Sequence, residues 1–290
     1  GNEGLDSAGP DLLALIIGSE GMLGIVTEVT VRLLPKPSYC QVVLASFADV
    51  ESAGDAVGAV IARGIVPAGF EMMDSNAIRA AEAFAHAGYD TDAAALLLCE
   101  LDGTAGEVRD CIKKVVAVFQ DFGAASIRVS EDEAERALFW KGRKSAFPAI
   151  GRISPDYYCM DGTIPRRMLS RVLRGISELS SEFGLGVANV FHAGDGNMHP
   201  LILFDESKPG ELEKAEAFGA KILELCVDVG GCITGEHGVG VEKLKQMLIQ
   251  FDDPELAQLN AIKDAWDPDA LLNPGKGVPT LKRCQEYRSL

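Results

Sequence analysis

The chain has 290 residues, of which 47% are hydrophobic and 24% charged, enough to bury the core of one large or two modest globular domains. Its net charge of 27 − 43 = −16 argues against nucleic acid or an anionic membrane surface as the main partner. No apolar run approaches the roughly 18 residues of a spanning helix, and the sequence does not open with a signal-peptide pattern, so we expect no transmembrane segment.

Residues 25–34 alternate apolar and polar side chains, which predicts a half-buried strand. Pro35 and Pro37 end this pattern, and the composition shifts after them, so we place a domain boundary after residue 36. The sequence begins with Gly1, and its first 35 residues resemble the end of a domain. We therefore expect this chain to be a fragment of a longer protein.

The next part of the chain repeats one pattern, strand–helix–strand, twice. This pattern predicts an α+β fold in which an antiparallel sheet carries helices on one face. The predicted strands are 41–47, 66–72, 95–101 and 125–129, and the predicted helices are 50–63, 75–87, 105–122 and 131–147.

Two apolar runs at 187–192 and 198–204 flank Ala-Gly-Asp-Gly-Asn, which predicts a hairpin because Gly, Asp and Asn tolerate tight turns. An extended stretch at 156–163 and a helix at 165–183 precede this hairpin. After it we expect a helix at 210–229, a short strand at 232–234, helices at 241–251 and 254–265, and a tail rich in coil.

Seven cysteines are scattered without a Cys-x-x-Cys pair, which favours a reducing, intracellular compartment. Cys99, Cys111 and Cys226 lie in apolar periodic segments and are interpreted as small buried hydrophobic residues. We therefore predict a cytoplasmic location and no cysteine nucleophile.

Three of the four histidines lie in two short glycine-rich segments. The predicted hairpin puts His192 and His199 on neighbouring strands, where side chains about 4.5–8 Å apart can reach one metal ion. Asp195, in the turn, either orients one ring or stabilises the turn. The alternative is that both histidines are structural.

Glu236 and His237 follow the short predicted strand and lie between glycines. If the backbone is extended there, Glu236 completes a metal site of two histidines and a carboxylate while His237 faces a substrate as a base. The alternative is a helix-dipole carboxylate and a surface histidine. His86, at the end of an ordinary predicted helix, receives no function.

Eight basic residues against two acidic ones lie between Lys141 and Arg174. They form either a solvated helix face or, at Arg143, Lys144 and Arg152, a local positive pocket for a small anion. None of these side chains takes up a hydride, so redox chemistry would need a cofactor. No GxGxxG after a strand and no Walker-type loop is present, which weakens nicotinamide and nucleoside triphosphate interpretations.

Five separated segments, in this order, resemble the FAD-linked oxidase family with the vanillyl-alcohol-oxidase-type fold. Within that family they are most similar to the flavin subunits of bacterial glycolate oxidases (glycolate dehydrogenases). The segments are GSEGMLGIVTEVTVRLLPKP, GRISPDYYCMDGTIPRR, VANVFHAGDGNMHPLILF, GEHGVG and DPDALLNPGK.

The resemblance implies a ferredoxin-like cap domain at residues 37–265, a remnant of the FAD-binding domain at residues 1–36, and a return segment to it at residues 266–290. Most of the FAD-binding domain would be missing, so the isolated fragment would hold FAD poorly and be inactive. The residues matching flavin contacts are Glu20, Gly21, Gly24, Ile25, Val26 and Asn273.

By position, the resemblance implies that His192, His199 and Glu236 bind a divalent metal such as zinc. His237 would take the substrate hydroxyl proton as a hydride leaves the α-carbon for FAD. Arg143 would bind the substrate carboxylate, because a guanidinium fork meets both oxygens. Cys159 stands where relatives that take larger diacids have a lysine. This departure favours a small monoacid.

The resemblance therefore implies oxidation of a small 2-hydroxy acid, glycolate to glyoxylate, in the intact protein. It also implies companion flavin-like and iron–sulfur subunits, which would hold the protein at the inner membrane or leave it free in the cytoplasm. The alternatives are a D-lactate or D-2-hydroxyglutarate dehydrogenase of the same family, and a folded interaction module without catalytic activity.

Overall fold

A computed structural model describes residues 9–279. Its chain divides into two compact units, which are described separately. The sheet unit comprises residues 35–235, and the described part of the helical unit comprises residues 9–34 and 236–279. The first division lies close to the boundary predicted after residue 36. The second differs from the bound predicted at 265, because residues 236–265 pack with the helical unit.

The sheet unit is built on seven antiparallel strands in the order β4-β1-β3-β2-β7-β9-β5. Its first four neighbours have the ferredoxin-like order 4-1-3-2, which confirms the predicted antiparallel sheet. A separate pair, β6 and β8, lies outside this sheet. The strands are β1 (Tyr39–Phe47), β2 (Gly69–Asp74), β3 (Ala95–Gly103), β4 (Ser126–Val129), β5 (Asp156–Cys159), β6 (Gly162–Thr163), β7 (Val187–Phe191), β8 (Asn197–Met198) and β9 (Pro200–Phe204).

The helices of the described chain, with one 3₁₀ turn at Arg166–Met168, mostly follow the predicted pattern. None of them, within residues 9–279, is both long and apolar enough to cross a bilayer. The helices are α1 (Leu12–Ile16), α2 (Val50–Ala62), α3 (Ser75–Ala85), α4 (Ala105–Asp121), α5 (Glu133–Ile150), α6 (Leu169–Phe183), α7 (Glu211–Asp228), α8 (Leu244–Gln250) and α9 (Asp253–Trp266).

Both faces of the sheet are buried. Alternate residues of β1 point to opposite faces, so Leu44 packs in one cluster with Phe139 of α5 while Phe47 meets Phe119 of α4 edge-on, 5.9 Å between ring centroids. The crossover helices α2 and α4 pack on the face that contains Phe47. Helices α3 and α5 cover the opposite face, so the prediction that helices lie on one face only is wrong.

Polar side chains mark where the helices of the sheet unit begin. Asp49 and Asp132 each accept a hydrogen bond from a main-chain N–H in the first turn of α2 and of α5. At α4, Thr104 and Glu107 form a reciprocal capping box. Asp74 caps α3, and its second carboxylate oxygen accepts from both nitrogens of Asn189 on β7. This last carboxylate ties α3 to the strand that leads to His192, and burial raises its pKa.

The predicted strand at 25–34 is wrong. Its apolar residues are 62–86% exposed, and no strand is assigned there. A strand requires a hydrogen-bonded neighbour, and the helical unit, as far as it is described, contains no other strand. The apolar–polar alternation therefore remains without a partner in this unit. Similarly, the strand predicted at 232–234 is reduced to a single bridge between Cys232 and Thr163 in the sheet unit.

Candidate active site

Two histidines face each other at the end of the β7–β9 hairpin of the sheet unit. Antiparallel pairing of Asn189 with Pro200 carries the chain to His199 on one side and His192 on the other. The main-chain N–H of His192 donates to the carbonyl of Asn197 at 3.1 Å. The two imidazole rings lie 5.4 Å apart between centroids at an interplanar angle of 85°. Of the facing and diagonal placements that a hairpin allows, the register gives the diagonal one.

Each of these rings has its Nδ1 atom held by an oxygen. Nδ1 of His192 lies 2.9 Å from Oε1 of Glu71, and Nδ1 of His199 lies 3.2 Å from the main-chain oxygen of Met160. Both oxygens are acceptors, so each Nδ1 carries the hydrogen and donates it. In a neutral imidazole the lone pair then lies on Nε2, the tautomer that metal-binding histidines adopt.

Glu71 also holds the predicted substrate arginine. Nε and Nη2 of Arg143 donate to Oε2 of Glu71 at 3.0 and 2.7 Å. Both side chains are buried, with 7% of Arg143 and 8% of Glu71 exposed. A buried guanidinium beside one carboxylate oxygen still has Nη1 to offer to a second anion.

A second buried carboxylate organises the chain just before Glu236. Asp161 is fully buried and accepts from Oγ1 of Thr234 at 2.8 Å and from the N–H of Gly235 at 3.0 Å. A side chain at position 235 would lie 2.3 Å from Oδ1 of Asn197, so only glycine fits there. That oxygen is buried and, in the described part of the chain, has no hydrogen-bond partner. Such an orphaned acceptor is compatible with a polar ligand.

Glu236 and His237 belong to the helical unit. Nε2 of His237 lies 3.7 Å from Oε1 of Glu236, and each side chain is about half exposed (50% and 52%). The segment that follows turns through Gly238 and Gly240, both with positive φ. The carboxylate of Glu20 accepts from the N–H groups of Val239 and Gly240, both at 2.7 Å.

The six residues predicted to contact a cofactor share one cavity of about 580 Å³ in the helical unit. Glu20 has φ 51° and Asn273 has φ 43°, a left-handed conformation that is uncommon outside glycine. Nδ2 of Asn273 donates to the main-chain oxygen of Glu20 at 2.6 Å, which joins the two ends of the unit. The six are Glu20, Gly21, Gly24, Ile25, Val26 and Asn273.

The predicted residues are thus divided between the units. Arg143, His192 and His199 belong to the sheet unit, and Glu236, His237 and the cavity residues belong to the helical unit. The chain passes from one unit to the other at the peptide bond between Gly235 and Glu236.

Each of the three basic side chains predicted to form a positive pocket has a partner in the sheet unit. Arg143 is paired with Glu71, Lys144 lies over the Trp140 ring at 5.8 Å and Arg152 lies over the Phe84 ring at 4.5 Å. Asp195 is exposed, and the two Nδ1 atoms have other acceptors, which favours its turn role.

The cysteine prediction also has physical support in the sheet unit. Burial raises the pKa of the Cys40 thiol to about 11 and raises that of Cys99 as well, which disfavours a thiolate nucleophile at either position.

Sequence reasoning missed Glu71, Asp161 and Asn197. Glu71 is the one charged residue within the predicted strand 66–72, and an isolated acid in an apolar strand indicates a buried polar partner. Its partners lie 72 and 121 residues away, so no local pattern identifies them.

The family model and the most similar curated proteins indicate the same family for this chain. The family described as "FAD linked oxidases, C-terminal domain" matches residues 36–277. The glycolate oxidase subunit GlcD of Escherichia coli is 62% identical over all 290 residues, and the chain covers 58% of that protein. GlcD of Bacillus subtilis is 36% identical over 93% of the chain and 58% of its own length. The chain thus spans about 58% of the length of these curated relatives.

More distant relatives extend this picture. A mitochondrial D-lactate dehydrogenase (cytochrome) of Arabidopsis thaliana is 33% identical over 94% of the chain and 48% of its own length. Among solved structures, p-cresol methylhydroxylase has a TM-score of 0.64 at 17% identity, covering 86% of this chain and 54% of its own. Alkyldihydroxyacetonephosphate synthase also has a TM-score of 0.64, at 15% identity over 93% of this chain and 51% of its own. These two structures show the fold alone.

Proposed function

The chain belongs to the family of FAD-linked oxidases, as their C-terminal domain, and from this premise we propose that it carries the substrate side of a 2-hydroxy-acid dehydrogenase. The substrate we propose is glycolate, which the intact protein would oxidise to glyoxylate. The 62% identity to a glycolate oxidase subunit supports this choice.

The observation that carries the proposal is the orientation of the paired histidines. Glu71 and the Met160 carbonyl hold Nδ1 of His192 and His199, so each ring directs its Nε2 lone pair away from its acceptor. We assign these two atoms as metal ligands and Glu236 as the third. When bound, a divalent metal such as zinc polarises the oxygens that it contacts. The orphaned oxygen of Asn197, on the strand position that pairs with His192, supports a polar ligand nearby.

Arg143 is our candidate for the substrate carboxylate. Its guanidinium is buried and is held by Glu71 through Nε and Nη2, so its position is defined before a second anion arrives. Cys159 supplies no second cation near the segment 161–165, which is consistent with a small monoacid rather than a diacid.

His237 is our candidate for the base that takes the hydroxyl proton at a ring nitrogen. Its half-exposed ring lies between glycines, and Glu20 holds the main chain two and three residues further on. When bound, FAD supplies the acceptor for the hydride from the α-carbon. The residues lining the cavity of the helical unit would contact part of that cofactor.

We also propose companion subunits, one flavin-like and one iron–sulfur, that pass the electrons onward. The relatives named as glycolate oxidase subunits support association with other chains. In this arrangement the protein would be cytoplasmic and held at the inner membrane through its partners.

Steady-state oxidation of glycolate, D-lactate, L-lactate and D-2-hydroxyglutarate by the intact protein tests the substrate. We expect the highest kcat/KM with glycolate. A higher value with D-lactate would favour the second candidate, which the similarity to a D-lactate dehydrogenase supports. No oxidation of any of the four by protein that contains FAD would contradict the proposal.

A further inference from the structure

One carboxylate contacts two side chains with different proposed roles. Oε1 of Glu71 accepts from Nδ1 of His192 at 2.9 Å, and Oε2 accepts from Nε and Nη2 of Arg143 at 3.0 and 2.7 Å. We propose that Glu71 is the positioning residue that sets the ring of His192 for metal and the guanidinium of Arg143 for the substrate carboxylate. This inference rests on the proposed function.

The surroundings of Glu71 make it a rigid reference point. It lies on β2, which is bonded to β3 on one side and to β7 on the other. Its side chain is 8% exposed, and Arg143 approaches it from α5 at 7% exposure. Buried strands hold their side chains in few rotamers, so a carboxylate there fixes both partners with little freedom.

The N–H donors around Glu71 require a carboxylate at this position. Its partners present three N–H donors in total, two from Arg143 and one from His192. Glutamine at this position would turn either an oxygen or an NH₂ group toward each partner, so one of them would lose its acceptor. A misplaced ring weakens metal binding, since partners that orient metal-binding histidines typically contribute about 10–100-fold in metal affinity or activity.

Glu100 provides a matched control. It lies on the neighbouring strand β3, and its carboxylate likewise bridges two donors, Nη1 of Arg136 at 2.6 Å and Nε1 of Trp140. These partners have no proposed role at the site. Glu100→Gln therefore removes a similar carboxylate network from the same sheet without touching His192 or Arg143.

The experiment compares wild type, Glu71→Gln, Glu71→Asp, Arg143→Met and Glu100→Gln in the intact protein. The Kd for Zn²⁺ is measured by competition with a chromogenic chelator, and KM and kcat are measured with glycolate. Glu71→Gln should raise both the Kd for Zn²⁺ and the KM by about 10-fold or more. Arg143→Met should raise KM alone, and Glu100→Gln should change neither.

Glu71→Asp retains the charge that compensates Arg143 but is one methylene too short to reach both partners. It should also raise both the Kd for Zn²⁺ and the KM, and it provides the test if Glu71→Gln does not fold. If the Glu71 variants raise KM without raising the Kd for Zn²⁺, Glu71 is only a counterion of Arg143 and the inference is overturned. A rise in the Kd alone, no change in either constant, or equal effects from Glu100→Gln would overturn it as well.

A spectroscopic measurement needs no substitution at Glu71. In metal-free wild-type protein, the ¹⁵N shifts of His192 should report hydrogen on Nδ1, with the signal assigned by its absence in His192→Gln. Hydrogen on Nε2 would contradict the role of Glu71. If wild-type protein binds no Zn²⁺, the metal assignment and this inference are overturned together. If wild-type protein is active and binds Zn²⁺, but the Glu71 variants keep its Kd and KM, only this inference is overturned.

Discussion

The carboxylate of Glu20 accepts a hydrogen bond from the main-chain N–H of Gly240, 220 residues later in the chain. The N–H of Val239 donates to the other oxygen of the same carboxylate. Glu20 therefore joins the segment proposed to contact the cofactor to the glycine-rich segment that carries His237. Glu20, which is proposed to contact the cofactor, thus also holds the main chain near the proposed base His237.

Glu20→Gln should loosen the segment 238–240. A glutamine retains one acceptor oxygen and loses the charge, and a hydrogen bond to a charged group contributes about 1.5–3 kcal/mol. Hydrogen exchange at the amides of Val239 and Gly240 should therefore become about 10–100-fold faster. Glu28→Gln, on the exposed stretch 25–34, is the control and should leave both amides unchanged. Equal protection in Glu20→Gln and wild type would show that the carboxylate does not hold this segment.

His199→Asn should remove bound metal. This ring is 2% exposed and directs its Nε2 lone pair away from the Met160 carbonyl. We expect the affinity for Zn²⁺ to fall by more than about 100-fold, beyond the effect of altering an orienting partner. The loss is measured as zinc content, by elemental analysis of the purified intact protein before and after dialysis against a chelator.

The control for that experiment is His86→Asn. His86 ends α3 in a left-handed conformation with φ 50°, which asparagine also tolerates. Zinc content should equal that of wild type. Stoichiometric zinc in His199→Asn would exclude this histidine as a ligand.

His237→Ala should lower kcat for glycolate by about 10²–10⁴-fold, the usual contribution of a general base. FAD content should change little, because the cavity residues of the helical unit do not include this side chain. Flavin absorbance and steady-state rates on the same preparation separate the two effects. Near-normal turnover would remove His237 from the mechanism, and parallel loss of flavin would assign it a structural role instead.

Asp267 should make the stability of the helical unit depend on pH. Lys263 and the N–H groups of Leu272 and Leu271 donate to its carboxylate and lower its pKa in the folded state. The stabilisation is complete above the unfolded pKa of about 3.9 and is lost as the pH falls through the lowered value, because the native carboxylate must then be protonated. Asp267→Asn should therefore be less stable than wild type at pH 7, and the difference should shrink below about pH 4.

Unfolding in urea from pH 7 to pH 2.5 measures this difference. Trp266 precedes Asp267 and serves as the fluorescent reporter when Trp140 is replaced by Phe. Asp264→Asn, one helical turn away on the exposed side, is the control. A difference between Asp267→Asn and wild type that stays constant across this range would contradict the pKa argument.

Local patterns predicted much of the sheet unit correctly. The apolar run of β1 and the turn residues between β7 and β9 depend on neighbours a few residues away, so they can be read from the sequence. An alternation of apolar and polar residues misled at residues 25–34. A strand is defined by its partner as well as by its own pattern, and no partner accompanies this stretch in the described part of its unit.

The sequence by itself determined which residue types carry the proposed chemistry. His192, His199, Glu236 and His237 stand in short motifs, and Arg143 was identified by its position in the family resemblance. Only the tertiary structure decided what orients them. Glu71 reaches Arg143 and His192 across 72 and 121 residues, and Glu20 reaches Gly240 across 220. Hydrogen bonds form between atoms about 3 Å apart in space whatever their separation along the chain, so these partners emerge only when strands and loops pack.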